Sequence, residues 1–244
     1  MPTFKITIEY DGTNYHGWQI QPHLPTIQGA LEATIRNIAR QDVAVTGAGR
    51  TDAGVHALGQ VAHVTTTARL TALEWLRALN GLLPPDIAVQ SVDEVPETFH
   101  ARFSARSKLY RYRIRTQPPR SALEHNRLLH YPYPLDLDAM NVATRDLIRT
   151  HDFSSFQGSP TDTKNPVCAV TTLSVARLEG EVIVEVEANR FLKQMVRAMV
   201  GTLLDIGRGK RQAGDMAKIL AAKDRAQAGF TAPAHGLYLV RVDY

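Results

Sequence analysis

Asp52 lies inside a glycine-studded stretch, GAGRTDAGVHALGQ (residues 47–60), two residues after Arg50. Turns of this composition usually cradle phosphate on their backbone N–H groups, and an acid in such a turn would repel that ligand. The phosphate-binding patterns also fail on spacing. Gly49 and Gly54 have the gap of a G-x-x-x-x-G-K-[ST] loop, but Val55 and His56 stand where lysine and a hydroxyl residue are needed. Gly47-Ala48-Gly49 is followed by Arg50-Thr51-Asp52, so the third glycine of a G-x-G-x-x-G fingerprint is missing. Asp52 is therefore either a turn-former that bonds its own downstream backbone or the reacting group itself. Its neighbours suit the second role. Arg50 would hold a nearby carboxylate ionised, and the small Gly49, Ala53 and Gly54 let a bulky ligand approach the backbone.

Other chemistries are poorly supplied. The nine histidines are scattered, no H-E-x-x-H occurs, and only His56 pairs closely with Asp52, so no metal is expected. A G-x-S-x-G elbow for a serine nucleophile is missing as well. The single cysteine, Cys168, can form neither an internal disulfide nor, alone, a thiolate zinc site. No run approaches the ~20 apolar residues of a membrane span, and MPTFKITIEY alternates like a strand with no signal-peptide core. The expectation is a soluble, cytoplasmic protein of one large domain or two small ones.

The net charge of +4 is modest, yet 21 of the 28 basic residues are arginine and seven basic residues crowd into 102–120, RFSARSKLYRYRIRTQPPR. Arginine suits bidentate phosphate contacts and stacking on bases. The clustering points to a polyanionic partner, nucleic acid ahead of membrane, because no basic amphipathic helix accompanies it. Arg106, Lys108, Arg111, Arg113 and Arg115 are the candidates for phosphate contact.

Periodicity predicts the elements that must position these groups. FKITIEY (4–10) reads as a strand, and short apolar runs at Val43–Val45 and Gln60–Val64 flank the Asp52 turn. Ile27, Leu31, Ile35 and Ile38 recur at helical spacing over 27–39. Thr71 and Glu74 form a capping box for a helix through Leu79, and IAVQSV (87–92) is a strand after Pro84-Pro85. The second half repeats this order. KLYRYRIRT (108–116) puts Lys108, Tyr110, Tyr112 and Ile114 on one face and three arginines on the other. Asp138 caps a helix running to Ile148. Residues 171–188 form a hairpin turning at Glu179-Gly180-Glu181, with Val182, Val184 and Val186 on one face and Glu185 and Glu187 on the other. A helix from Phe191 to about Ile206 buries Met195, Met199 and Leu203, a short helix covers 215–222, and LYLVRVDY closes the chain as a strand. Two βαββαβ units in tandem make the fold class α+β: two ferredoxin-like halves, each with a largely antiparallel sheet backed by helices, over 1–105 and 106–244. The RNA-recognition module shares this order, but its glycine-aromatic strand signature is absent here.

GRTDAGVHA resembles the catalytic motif of the tRNA pseudouridine synthase A family. IEYDGTNYHGWQIQ, NGLLPPDIAV, FHARFSARSKLYRY, HDFSSF and ANRFLKQMVRAMVGTLLDIG resemble that family's segments in the same order, nearly end to end; 157–170 is the least similar and reads as a loop of variable length. The resemblance implies isomerisation of uridine to pseudouridine at positions 38, 39 and 40 in the anticodon stem-loop of tRNA, with no cofactor. It implies Asp52 as the nucleophile, Tyr110 stacked on the target base, Arg197 paired with the catalytic acid, and Arg50 facing RNA in place of the flipped base. It also implies a homodimer in which one tRNA touches both subunits. By their patterns alone, Tyr110 is sheet packing and Arg197 a surface arginine whose stem covers apolar neighbours. Two other classes stay open: a hydrolase of a nucleoside bond, which needs a second carboxylate beside Asp52, and a non-catalytic RNA-binding protein, which would not need Asp52 at all.

Overall fold

The computed structural model describes residues 1–161 and 163–244. In chain order the first elements are β1 (Thr3–Tyr10), α1 (Ile27–Ala39), β2 (Thr46–Gly47), β3 (His56–Thr65), α2 (Ala72–Leu82) and β4 (Ile87–Val95). Then come β5 (Ser107–Arg115), β6 (Leu129–His130), α3 (Leu137–Thr144), β7 (Arg149–Asp152), β8 (Val167–Leu178) and β9 (Glu181–Ala188). The last are α4 (Met195–Gly207), α5 (Asp215–Ala222) and β10 (Leu237–Asp243). They gather into two compact units, Met1–Arg106 with Tyr238–Tyr244, and Ser107–Leu237. The fold is mixed α and β with mostly antiparallel pairing.

In the first unit the strand order is β4-β1-β3-β10, with the stub β2 added to β3. β1 runs antiparallel to β3 and β4, and β10 runs parallel to β3 at Tyr238 and Leu239. Phe4, Ile6 and Ile8, two residues apart on β1, are buried, as are Ile27, Leu31 and Ile35 of α1 and Trp75 and Leu79 of α2. Phe4 meets Trp75 with ring centroids 6.0 Å apart. Both helices start where their caps dictate. Thr26 accepts from Gly29 N, and Thr71 and Glu74 close the reciprocal capping box. The predicted bounds of α1 hold, although Ile38 is only half-buried; α2 continues past Leu79 to Leu82. The run Val43–Val45 is not a strand. Its backbone is bonded instead by side chains of α1: Glu32 accepts from Val45 N at 2.9 Å and Gln28 donates to Val45 O at 2.9 Å. β3 is longer than expected and begins at His56, directly after the Asp52 turn.

In the second unit the order is β5-β9-β8-β7, with β6 parallel to β5. The β8–β9 hairpin turns at Glu179 and Gly180, both left-handed (φ 50 and 85), the geometry that a tight two-residue hairpin needs. β8 starts at Val167 rather than 171, because Val167–Val170 pair with Asp152–Arg149 of β7. The polar β7 has no apolar alternation to announce it, and the predicted loop over 157–170 is therefore shorter than expected. Asp136, not Asp138, caps α3: its Oδ1 accepts from Ala139 N at 2.9 Å, and Asp138 falls in the first turn. α3 also stops at Thr144, followed by a 3₁₀ turn over Arg145–Leu147, because Ile148 is extended toward β7. α4 begins at Met195 instead of Phe191. Gln194 is left-handed (φ 58) and Met195 N bonds Leu192 O, so the residues ahead of α4 form a turn. Met195, Met199 and Leu203 are buried as their spacing predicts, and α5 has the predicted bounds. Among the described residues no helix is long and apolar enough to cross a membrane.

Candidate active site

The Asp52 turn is closed by main-chain bonds. Ala48 N donates to Val61 O at 2.7 Å, and Val55 N donates to Asp52 O at 3.1 Å. Gly54, with φ +76, supplies the left-handed residue such a turn requires. A second segment, Asp11–Gln19, wraps the turn. Trp18 N donates to Thr51 O at 3.1 Å, and Gly54 N donates to Tyr15 O at 3.3 Å. The two backbones meet so closely that only glycine fits. A Cβ on Gly17 (φ +89) would lie 2.5 Å from Thr51 O, and one on Gly12 would lie 2.0 Å from Val55 O.

This cradle has its own supports. Gly12 N donates to His56 Nδ1 at 3.0 Å, and His56 stacks on Tyr238 at 4.8 Å. Asp11 Oδ1 accepts from Thr13 N at 3.0 Å and sits 3.2 Å from His56 Nδ1, while Tyr15 OH donates to Asp86 at 2.6 Å. Sequence periodicity missed Asp11–Gln19, which has neither strand nor helix spacing. The available signal was the pair Gly12 and Gly17 bracketing aromatic residues beside an unassigned loop.

Asp52 itself is half-buried, between the buried Thr51 and the exposed Ala53. The first two donors downstream of it that an aspartate turn-former would use are occupied elsewhere: Gly54 N by Tyr15 O, and Val55 N by the main-chain oxygen of Asp52. Arg50, on the same turn, is exposed, and its Nε donates to Gln19 Oε1 at 3.1 Å.

The remaining predicted site residues belong to the second unit or lead into it. Tyr110 on β5 is buried, with Phe191 edge-on at 4.9 Å. Arg197 on α4 is half-buried rather than solvated. Its Nε donates to Ala232 O at 2.7 Å and its carbonyl accepts from Ala232 N at 3.1 Å. Burial pushes the neighbouring Tyr112 phenol far above its ordinary range, with the Arg197 charge acting the other way. Arg111 Nε meets Glu185 at 2.8 Å; Arg113 bonds Glu181 at 2.6 and 2.8 Å and Glu124 at 2.9 Å. Glu181 and Glu185 lie on the neighbouring strand β9 and Glu124 between β5 and β6, so the charges of Arg111 and Arg113 on β5 are offset by acid. Lys108 and Arg115 are half-buried. Arg106 is exposed, just ahead of β5. Next to it is a surface that periodicity does not announce: Phe103 is 76% exposed, with His100 stacked at 4.3 Å and the Arg102 guanidinium 5.6 Å from its ring.

A family model described as tRNA pseudouridine synthase matches residues 6–104 and 143–244. The first block holds the Asp52 turn with its cradle and the second holds Arg197; Tyr110 and the basic candidates from Arg106 to Arg115 fall between them. The tRNA pseudouridine synthase A of Anoxybacillus flavithermus is 46% identical over 100% of this chain and 99% of the relative. That of Bradyrhizobium diazoefficiens is 45% identical over the full length of both. That of Halalkalibacterium halodurans is 45% identical over 97% of this chain and 90% of its own. Likeness at this level, running through the turn that presents Asp52, shows that the chain belongs to the tRNA pseudouridine synthase family.

Proposed function

We propose that this family member converts uridine to pseudouridine at positions 38, 39 and 40 of the tRNA anticodon stem-loop, with Asp52 as the nucleophile. Family membership makes the protein an isomerase acting on tRNA. The reaction breaks the bond from C1′ to N1 and makes one from C1′ to C5. The C5 hydrogen leaves as a proton and N1 gains one, so the change is redox-neutral and consumes no second substrate. Asp52 supplies the anion that attacks the nucleoside. The target base must first leave its stack, which costs a few kcal/mol. Contacts from Tyr110, stacked on the flipped base, and from Arg50, entering the vacated place, would offset that cost. Arg197 is assigned as the cationic partner of the catalytic acid.

One observation carries the assignment of Asp52. A turn-forming aspartate bonds backbone N–H groups just downstream, yet Gly54 N and Val55 N both donate to main-chain carbonyls. At both of these positions the turn is closed by main-chain bonds. Asp11 and Asp86, the acids of the surrounding cradle, are engaged in holding it, through Thr13 and Tyr15 respectively. That favours isomerisation over a two-carboxylate hydrolysis.

The same reading assigns the nucleophile to an N-terminal half (1–105) and Tyr110 and Arg197 to a C-terminal half (106–244), both ferredoxin-like. The order β4-β1-β3 with β2 on β3 supports this for the first half. A homodimer, binding of the anticodon arm and a cytoplasmic location belong to the proposal through the family resemblance. The test is to incubate unmodified tRNA with the purified protein and map pseudouridine at nucleotide resolution. Pseudouridine confined to 38–40 is the expected result. Modification elsewhere overturns the site assignment, and release of free uracil would make the protein a hydrolase.

A further inference from the structure

We infer that Tyr10 and Gln60 are positioning residues for the reaction: their buried side chains hydrogen-bond Thr51 and Gly49, fix these two residues on either side of Arg50 and so set where Asp52 stands. The inference rests on the proposed role of Asp52.

Gln60 on β3 is 0% exposed. Its Nε2 donates to Gly49 O at 2.9 Å, and its Oε1 accepts from Val61 N at 3.1 Å. Tyr10, at the end of β1, is 3% exposed. Its hydroxyl lies 2.8 Å from Thr51 Oγ1. Thr51 is itself buried, and its carbonyl receives Trp18 N. The pairing of β1 with β3 slips between Ile8 and Tyr10, from Ile8 opposite Gln60 to Tyr10 opposite Ala57. Such irregularities re-aim a side chain beside a site. Gly49 and Thr51 are thereby tied inward, Arg50 between them faces outward, and Asp52 follows directly on an anchored residue.

A core needs none of this polarity. A phenol and a primary amide buried without partners are costly, and apolar side chains would fill the same space without that risk. What these buried hydrogen bonds add is a single geometry. Burial pushes the Tyr10 phenol far above its ordinary value, so it stays protonated and the link does not change over the working pH range.

The experiment compares Tyr10→Phe, Thr51→Val, their combination and Thr51→Ser with the wild type, measuring kcat, KM, gel-shift affinity for tRNA and thermal unfolding. Tyr10→Phe keeps the ring and Thr51→Val keeps the shape, so each removes one hydroxyl. Each is expected to lower kcat on the order of tenfold, since small displacements of a reacting group cost this much or more. KM and affinity stay unchanged. The double variant is no slower than the worse single one, because both break the same link, and Thr51→Ser restores wild-type kcat. The kcat–pH profile of Tyr10→Phe keeps its shape, because the phenol does not titrate. A lowered melting temperature with wild-type kcat makes these bonds merely structural and overturns the inference. So do losses that multiply in the double variant, or a Thr51→Ser as slow as Thr51→Val. A wild-type protein that forms no pseudouridine overturns the proposed function; an active wild type with an equally active Tyr10→Phe overturns this inference alone.

Discussion

The Asp52 turn and the β5–β9 strand pair handle charge in opposite ways. In the turn, main-chain groups of Thr51, Asp52 and Gly54 bond to Trp18, Val55 and Tyr15, so main-chain bonds hold the backbone that carries Asp52. On β5, whose backbone is paired with β9 from Lys108 to Arg115, the charged side chains are taken up by carboxylates, Arg111 by Glu185 and Arg113 by Glu181 and Glu124. A cation already paired with carboxylates is less available to a polyanion. Seven clustered cations in 102–120 therefore overstate the attraction for RNA until those facing carboxylates are subtracted.

The largest effect expected from this contrast is at Asp52. Asparagine keeps shape and turn-forming capacity but removes the anion. Asp52→Asn should fold normally, bind tRNA and form no detectable pseudouridine, read by hydrogen release from C5 beside a gel-shift titration. Activity within about tenfold of wild type, a barrier change of only ~1.4 kcal/mol, would return Asp52 to a structural role. Next comes the brace. Gly17→Ala places a Cβ against Thr51 O at a left-handed residue. It should destabilise the first unit by about 1–3 kcal/mol and slow turnover more than it weakens tRNA binding. Unchanged melting and turnover would mean that the cradle does not hold the turn.

On the β5 side the effects are smaller and fall on stability. Arg113→Ala leaves Glu181 and Glu124 facing each other and should cost about 1 kcal/mol in a urea titration, more than Arg111→Ala, whose pair is more exposed. The smallest effect separates the two kinds of arginine in RNA binding. Replacing Arg102 and Arg106 with alanine should lower the slope of log K against log salt by roughly 0.7–0.9 for each phosphate that is no longer neutralised. The same change at Arg111 and Arg113 should lower it less. Equal slopes for both pairs would show that the glutamates give way when RNA binds.

Where structure depends on neighbours in the chain, the amino-acid sequence was sufficient. The bounds of α1 and α5, the Thr71–Glu74 capping box, the alternation of β5 and the left-handed turn at Glu179-Gly180 all follow from spacing and intrinsic conformational preference. GRTDAGVHA alone singled out Asp52 and, through its resemblance, the family. Tertiary structure decided what depends on partners distant in the chain. The polar β7 exists because β8 offers it a ladder, and Val43–Val45 is not a strand because Gln28 and Glu32 bond its backbone first. α4 starts late because Gln194 turns left-handed. Likewise Arg111 and Arg113 face glutamates at least 11 residues away in sequence, and the Asp52 turn is held by Tyr15, Trp18, Tyr10 and Gln60. Periodicity reports which face of an element is buried. It carries no information about which remote hydrogen-bonding group that face will meet, and in this protein those remote groups hold Asp52 in place.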